Sequence, residues 1–315
     1  MEEYLKPISL VCAIIVAGLT IYKFFKKSPS EKESPAALTA TTPDSVVSRF
    51  IALFESHGVK RTQIPPFFGH GLTLFQCSDD EELLKILTPE ILKAAADLFA
   101  VNLDWLQGAT KAIYEVPNFY KSPSECIEYL ESLKQLSLEN ELFTYVITPK
   151  TNKNFGMDTY DALVIITEVI GRLNDRPVYR YHLSGTRSVD YWKSKAYFTA
   201  QCALLFKYEC SPIGKSAETK WINSMIEGST LLKYDFDDFA GDVDLPIGGT
   251  WYVDEMIEKP DSYLENVAPE HNQFGLRSAL QQWLELEHYM NCFTTSSSHQ
   301  QTVQRFEKKL TELGS

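Results

Sequence analysis

Residues 8–22 read ISLVCAIIVAGLTIY, fifteen positions without a charge, and Lys23, Lys26 and Lys27 close the run. So apolar a stretch has to be buried somewhere, and its length bounds where. At about 1.5 Å per residue it covers roughly 22 Å, and Leu5, Phe24 and Phe25 lengthen it toward the roughly 30 Å of a hydrocarbon core, with Lys6 and Lys23 able to snorkel. The expectation is a single transmembrane helix over 1–27 that meets membrane lipid through Ile8, Leu10, Val11, Ile14, Ile15 and Leu19. Glu2 and Glu3 precede the run while the lysines follow it, so the rule that positive charge stays inside predicts a single-pass inner (plasma) membrane protein. Its N-terminus would lie outside and its domains in the cytoplasm. A cleaved secretory signal fits less well, because the leader is acidic and KFFKK is a stop rather than a cleavage context.

The text from 28 to 44 is rich in Ser, Thr, Pro, Lys and Glu and has little to bury, which predicts a flexible linker reaching on the order of 25 Å. What remains is enough for two ordinary domains. A formal charge of −12 opposes a surface built for nucleic acid or anionic lipid, both of which reward a positive field. Six cysteines (Cys12, Cys77, Cys126, Cys202, Cys210 and Cys292) show no CxxC spacing and are expected to be reduced.

Between 45 and 140 the apolar spacing is helical. Val47, Ile51 and Phe54 recur at helix period before Gly58, acidic residues open a helix near 78, Thr88 and Pro89 open another, and Asn102 caps LDWLQ ahead of Gly108. A further helix is expected from 124 to 138. At 142 the period shortens: 142–148 and 162–173 are β-branched and aromatic runs, and Asn174-Asp175 separates the second from VYRYHL as a hairpin turn would. Helices are then expected over 189–209, 218–226, 276–293 and 303–313, with a strand at 250–253. That order favours an α+β domain over 141–315 rather than a doubly wound sheet.

Residues 46 to about 109 resemble the Cro/C1-type, lambda-repressor-like helix-turn-helix domain in degenerate form. RFIALFESHGV is similar to its first helix, KRTQIPPFFG stands in the place of the second, HGLTLFQ in that of the third, and EILKAAADLFAVNLDWLQGA resembles the closing pair. The resemblance implies a bacterial source, an all-α five-helix domain within 45–140, and a DNA-facing set made of Lys60, Arg61, Gln63, His70 and Thr73. Residues 69–76 hold no Arg or Lys, and 46–110 carries five basic against eight acidic side chains, net −3. That field disfavours DNA and favours a protein partner. A homodimer is compatible with this reading.

No motif carries catalysis. Residues 209–216 (ECSPIGKS) approach a phosphate loop, but Glu209 stands where the first Gly belongs. No histidine pair has metal-ligand spacing, and neither a metal nor a cofactor is expected. The acidic stretch 235–244, with Asp237 and Asp238, suits a basic partner, and the aromatic-rich text around Tyr179, Tyr181, His182 and Trp251 suits a ligand pocket. The expected function is therefore a membrane-tethered, cytoplasm-facing regulatory or interaction protein. The alternatives are a membrane-bound DNA-binding transcription regulator and an enzyme located in 141–315.

Overall fold

In a computed structural model, which describes residues 45–136, 142–150, 160–234, 247–268, 275–292 and 298–314, the first helix opens on a reciprocal cap. Ser45 Oγ accepts from the Ser48 N–H, and Ser48 Oγ from that of Ser45. This helix, α1 (Val46–Ser56), turns Val47, Phe50, Ile51, Leu53 and Phe54 inward. Gly58 then takes a φ of 75°, in the left-handed region that favours glycine, and a Cβ there would collide with the Arg176 guanidinium. A 3-10 turn, Arg61–Gln63, leads into α2 (Ile64–Phe68). Pro65 and Pro66 both fall in the first turn of α2, where a missing N–H has no helical partner to lose. Thr73 caps α3 (Leu74–Ser78), Asp79 caps α4 (Asp80–Ile86), Thr88 caps α5 (Pro89–Phe99) and Asn102 caps α6 (Leu103–Gln107).

After α7 (Pro123–Leu136) come β1 (Leu142–Pro149), β2 (Ala162–Leu173) and β3 (Arg176–Thr186), then α8 (Trp192–Lys207), β4 (Pro212–Ala217), α9 (Thr219–Ile226) and β5 (Ile247–Trp251). The chain continues through α10 (Val253–Glu258), α11 (Pro260–Leu264) and α12 (Gly275–Glu285), a 3-10 turn at Glu287–Tyr289, and α13 (His299–Glu312). The strands form one mixed sheet in the order β3-β2-β1-β4-β5, with β1 and β4 parallel at its centre and the other pairs antiparallel. Asn174, at φ 55°, makes the tight turn between β2 and β3.

Each face of the sheet is buried. On one, Ile147, Leu163, Ile165, Val178, Tyr181 and Leu183 pack with α9 and with Phe50, Phe54, Phe99 and Trp105 of the N-terminal helices. On the other, Val146, Val164 and Ile166 pack with α7, α8 and the C-terminal helices around Trp283 and Phe306, whose rings stack at 3.7 Å. The result is three layers, with helices on both sides of a five-stranded sheet.

Two expectations are corrected here. Residues 46–107 hold six α-helices rather than five, and they share one core with the sheet instead of forming an all-α domain ahead of an α+β one. The physical reason is length: α2, α3 and α6 are five residues each, far below what holds a helix in water, so they depend on tertiary packing, α2 directly on β2 and α3 and α6 on the neighbouring helices. Backbone ties reinforce the packing, with Tyr234 N–H to Ser56 O at 2.7 Å, Ile113 N–H to Gly228 O at 2.6 Å and Gly185 N–H to Pro117 O at 3.1 Å. The second correction concerns the membrane. The anchor expected over 1–27, from Ile8 to Lys27, and the linker over 28–44 lie outside the described residues, and among those described no helix is long and apolar enough to cross a membrane. A single-pass inner-membrane protein is therefore not what the structure supports. On a smaller scale, the last strand is Ile247–Trp251, and Val253, expected at its end, instead opens α10.

Candidate functional site

The DNA-facing set suggested by the resemblance is engaged locally. Arg61 donates through Nε to the Cys77 carbonyl and pairs with Asp80, so it clasps α3 and α4 to the turn before α2. Gln63 Oε1 accepts from the Lys60 N–H at 3.0 Å, Thr73 accepts from the Gln76 N–H as a cap, and the exposed His70 ring rests on Phe68 at 4.3 Å. Lys60 remains exposed. The third helix, α3, presents Leu74 and Phe75 to solvent, 60% and 70% exposed, where base-reading polar side chains would be needed. Gln63 and His70 border an open depression of about 790 Å³ between α2, α5 and the β2–β3 hairpin, into which Phe67 packs over Gly171.

The ligand-pocket candidates separate. Tyr181 is buried in the core, where it stacks on His57 at 5.2 Å, and Tyr179 packs against the same core. His182 Nε2 lies 3.0 Å from the Glu168 carboxylate, which also receives two bonds from Arg180, at 2.6 and 2.9 Å. Burial pushes the Glu168 pKa up, but the bonds from His182 and Arg180 and the Arg180 charge outweigh it, and the carboxyl titrates below its ordinary value. Arg180, on edge strand β3, also reaches the Asp97 carbonyl of α5 at 3.4 Å, which ties the two layers together. This buried triad is committed to structure. Asp237 and Asp238 lie outside the described residues.

Trp251 is the one described aromatic of that group that reaches a cavity. The cavity, of about 460 Å³, lies at the carboxyl ends of the parallel pair β1–β4, between the sheet and the C-terminal helices. A crevice outside the strand ends is where an open sheet with covered faces leaves room for a ligand. Thr148 and Ser216 are register partners on β1 and β4 and form its floor. Trp251 crosses β4 at Gly214, where a Cβ would stand 2.5 Å from the indole, and its Nε1 donates to the Lys215 carbonyl at 2.9 Å. Only glycine lets the ring lie that close to the strand.

The opposite wall comes from the loop before α8 and from α8 itself. Asp161, fully buried, accepts from Arg187 Nη1 at 2.6 Å and from the Ser188 N–H at 2.8 Å, and the Val189 N–H donates to the Tyr160 carbonyl at 2.7 Å. These bonds place Tyr160 and Val189 at the cavity and start α8 so that its first turn delivers Lys195 there. Lys195 is 7% exposed, and among the described residues its Nζ has a single partner, the Glu265 carbonyl at 3.3 Å, which closes α11 at the same wall. Burial pulls its pKa down to about 8, against the raising influence of Cys202 and Glu265. Tyr160 is pushed up to about 12, mainly by burial and then by the charges of Glu265 and Asp190. Glu255 on α10 completes the ionisable rim and is paired with Lys259 at 2.8 Å.

Sequence reasoning named none of Lys195, Tyr160, Ser216 and Glu265 as a site residue, although it offered the aromatic text 190–198, which holds Lys195, as pocket lining and weighed Ser216 within 209–216. Lys195 left a further trace: it is the last charge before an eleven-residue uncharged run, AYFTAQCALLF, in a helix buried nearly all round. The stretch 209–216, read against a phosphate loop, becomes β4, with Glu209 and Ser211 at positive φ shaping the turn into it. No family model, curated protein or solved structure matches this chain.

Proposed function

We propose that this chain is a small-molecule-binding protein whose ligand occupies the cavity at the ends of β1 and β4, and that the repressor-like helices 46–109 cover the sheet or contact a protein rather than read DNA. The observation that carries the reading is Lys195. Keeping an ammonium group in a nearly dry site costs several kcal/mol, and one backbone carbonyl repays little of it. Stability alone would have been better served by a methionine, so the cost makes sense as a handle for a ligand. Around it stand neutral donors and acceptors (Thr148, Ser216, Thr250, Asn266) and an apolar platform of Trp251 and Phe198, the mixture that orients and buries a small polar molecule. For the helices, the support is that Arg61 and Gln63 are spent on local bonds and α3 offers Leu74 and Phe75 outward.

The test is thermal stabilisation of the full chain by a panel of small carboxylates, phosphates, sugars, aldehydes and ketones. At least one class is expected to raise Tm saturably, and the rise should vanish in Ser216→Trp, which fills the cavity floor. Stabilisation unchanged by that substitution would place the ligand elsewhere and sink the reading.

A further inference from the structure

We infer that Lys195 is a nucleophilic amine and that the ligand it takes is an aldehyde or ketone, held as an imine. The inference rests on the cavity reading above and goes past it by naming the chemistry. Three groups converge on the wall. The Lys195 Nζ is held by the Glu265 carbonyl, and the Glu265 carboxylate lies near enough to act electrostatically on both Lys195 and the Tyr160 hydroxyl. A simple anion site would surround the ammonium with further positive or N–H groups. Here two carboxylates, Glu255 and Glu265, line the same cavity, and Lys150 is already paired with Glu218 at 3.0 Å. A neutral carbonyl compound meets no such opposition.

Desolvation also prepares the amine. With its pKa near 8, about one Lys195 side chain in ten is neutral at pH 7, against roughly one in three thousand for a lysine in water. The neutral nitrogen attacks the carbonyl carbon, forming the N–C bond while the C=O pair moves onto oxygen. That oxygen leaves as water, carrying the two amine protons, and a C=N bond remains. Tyr160, which stays protonated across the neutral range, is placed on the same wall to lend and recover a proton at the departing oxygen. No electrons are exchanged with any other species.

The experiment is reductive trapping on the full chain. Glyceraldehyde is added at modest excess, the imine is reduced with cyanoborohydride, and the adduct is mapped by peptide mass spectrometry. One adduct per chain is expected at Lys195, about tenfold faster than at the exposed Lys308, with a rate that climbs as pH rises toward 8. Lys195→Met should remove it. Ser216→Trp, which leaves the amine in place, should slow it about tenfold by closing access. Labelling spread over surface lysines, or labelling at Lys195 indifferent to Ser216→Trp, would overturn the proposal. Saturable stabilisation by phosphate or a carboxylate without any Lys195 adduct would overturn the carbonyl chemistry while leaving the cavity reading intact.

Discussion

His57 and Lys195 are both basic side chains taken out of water, and the sheet lies between the cores that hold them. His57 sits at the end of α1 with its ring between Phe99, at 4.2 Å, and Tyr181, at 5.2 Å, and its Nδ1 lies 2.7 Å from the Leu53 carbonyl. It lines neither the cavity at the ends of β1 and β4 nor the depression between α2 and α5; the ring is core packing, and burial drives its pKa down to about 4, so it is neutral throughout the physiological range. Lys195 is also buried but ends at a cavity wall, and its pKa near 8 leaves both protonation states within reach. The contrast teaches that a buried base is open to a ligand only where there is room for a second molecule.

The sharpest way to break the comparison is to cut into the closed side. Phe99→Ala removes a ring that packs on Phe54 at 4.9 Å and on His57, and should lower unfolding free energy by about 4 kcal/mol in urea titration, with the adduct at Lys195 still forming in the folded fraction. Arg180→Ala leaves the Glu168 carboxylate buried beside His182 alone and should cost about 3 kcal/mol, with loss of amide protection near Asp97 as the specific mark of the broken tie between layers.

The pH response of His57 is the next largest effect. Its folded pKa, about 4, is below the 6.5 of the unfolded chain, so the unfolded state binds the extra proton between those values. Stability is full above pH 6.5, declines as pH falls, and is lower by about 3 kcal/mol at pH 4. Urea midpoints of wild type and His57→Phe, compared at pH 7 and pH 4.5, check the sign: the variant should lose less on acidification. The smallest effect belongs to the open side. Lys195→Met removes a buried charge and keeps the volume, so stability should stay within about 1 kcal/mol or improve while the trapped adduct disappears. A large destabilisation there would make Lys195 structural and erase the contrast.

Much of this was legible in the chain because it is local. Thr88-Pro89, Asn102 with Gly108, and the β-branched runs at 142 and 162 mark elements that the structure also has, since caps, turns and period act over a few residues. The joining of layers was not legible. Nothing in LDWLQ or IPPFF states that its apolar side will join a core shared with β2 and β3, because such contacts are made far away along the chain. The cavity was hidden for the same reason. Thr148 and Ser216 become neighbours only through the parallel pairing of β1 with β4, and Lys195 joins them from a helix whose periodicity is blurred by burial on nearly every side. The membrane expectation drew on 8–22 and the residues flanking it, all outside the described part of the chain, and the repressor-like reading followed the order of helices while missing what they pack against.

The parallel partners at the middle of the sheet have a consequence for synthesis. Thr148 and Ser216 adjoin, yet the ribosome releases the second only after the whole β2–β3 hairpin and α8 have emerged. Earlier still, until β2 and β3 emerge, the six N-terminal helices have no sheet to rest on, so the nascent chain carries them exposed for several seconds at ordinary elongation rates. A chaperone that shelters apolar segments during translation should therefore raise the soluble yield of this protein more than it aids refolding of the finished chain.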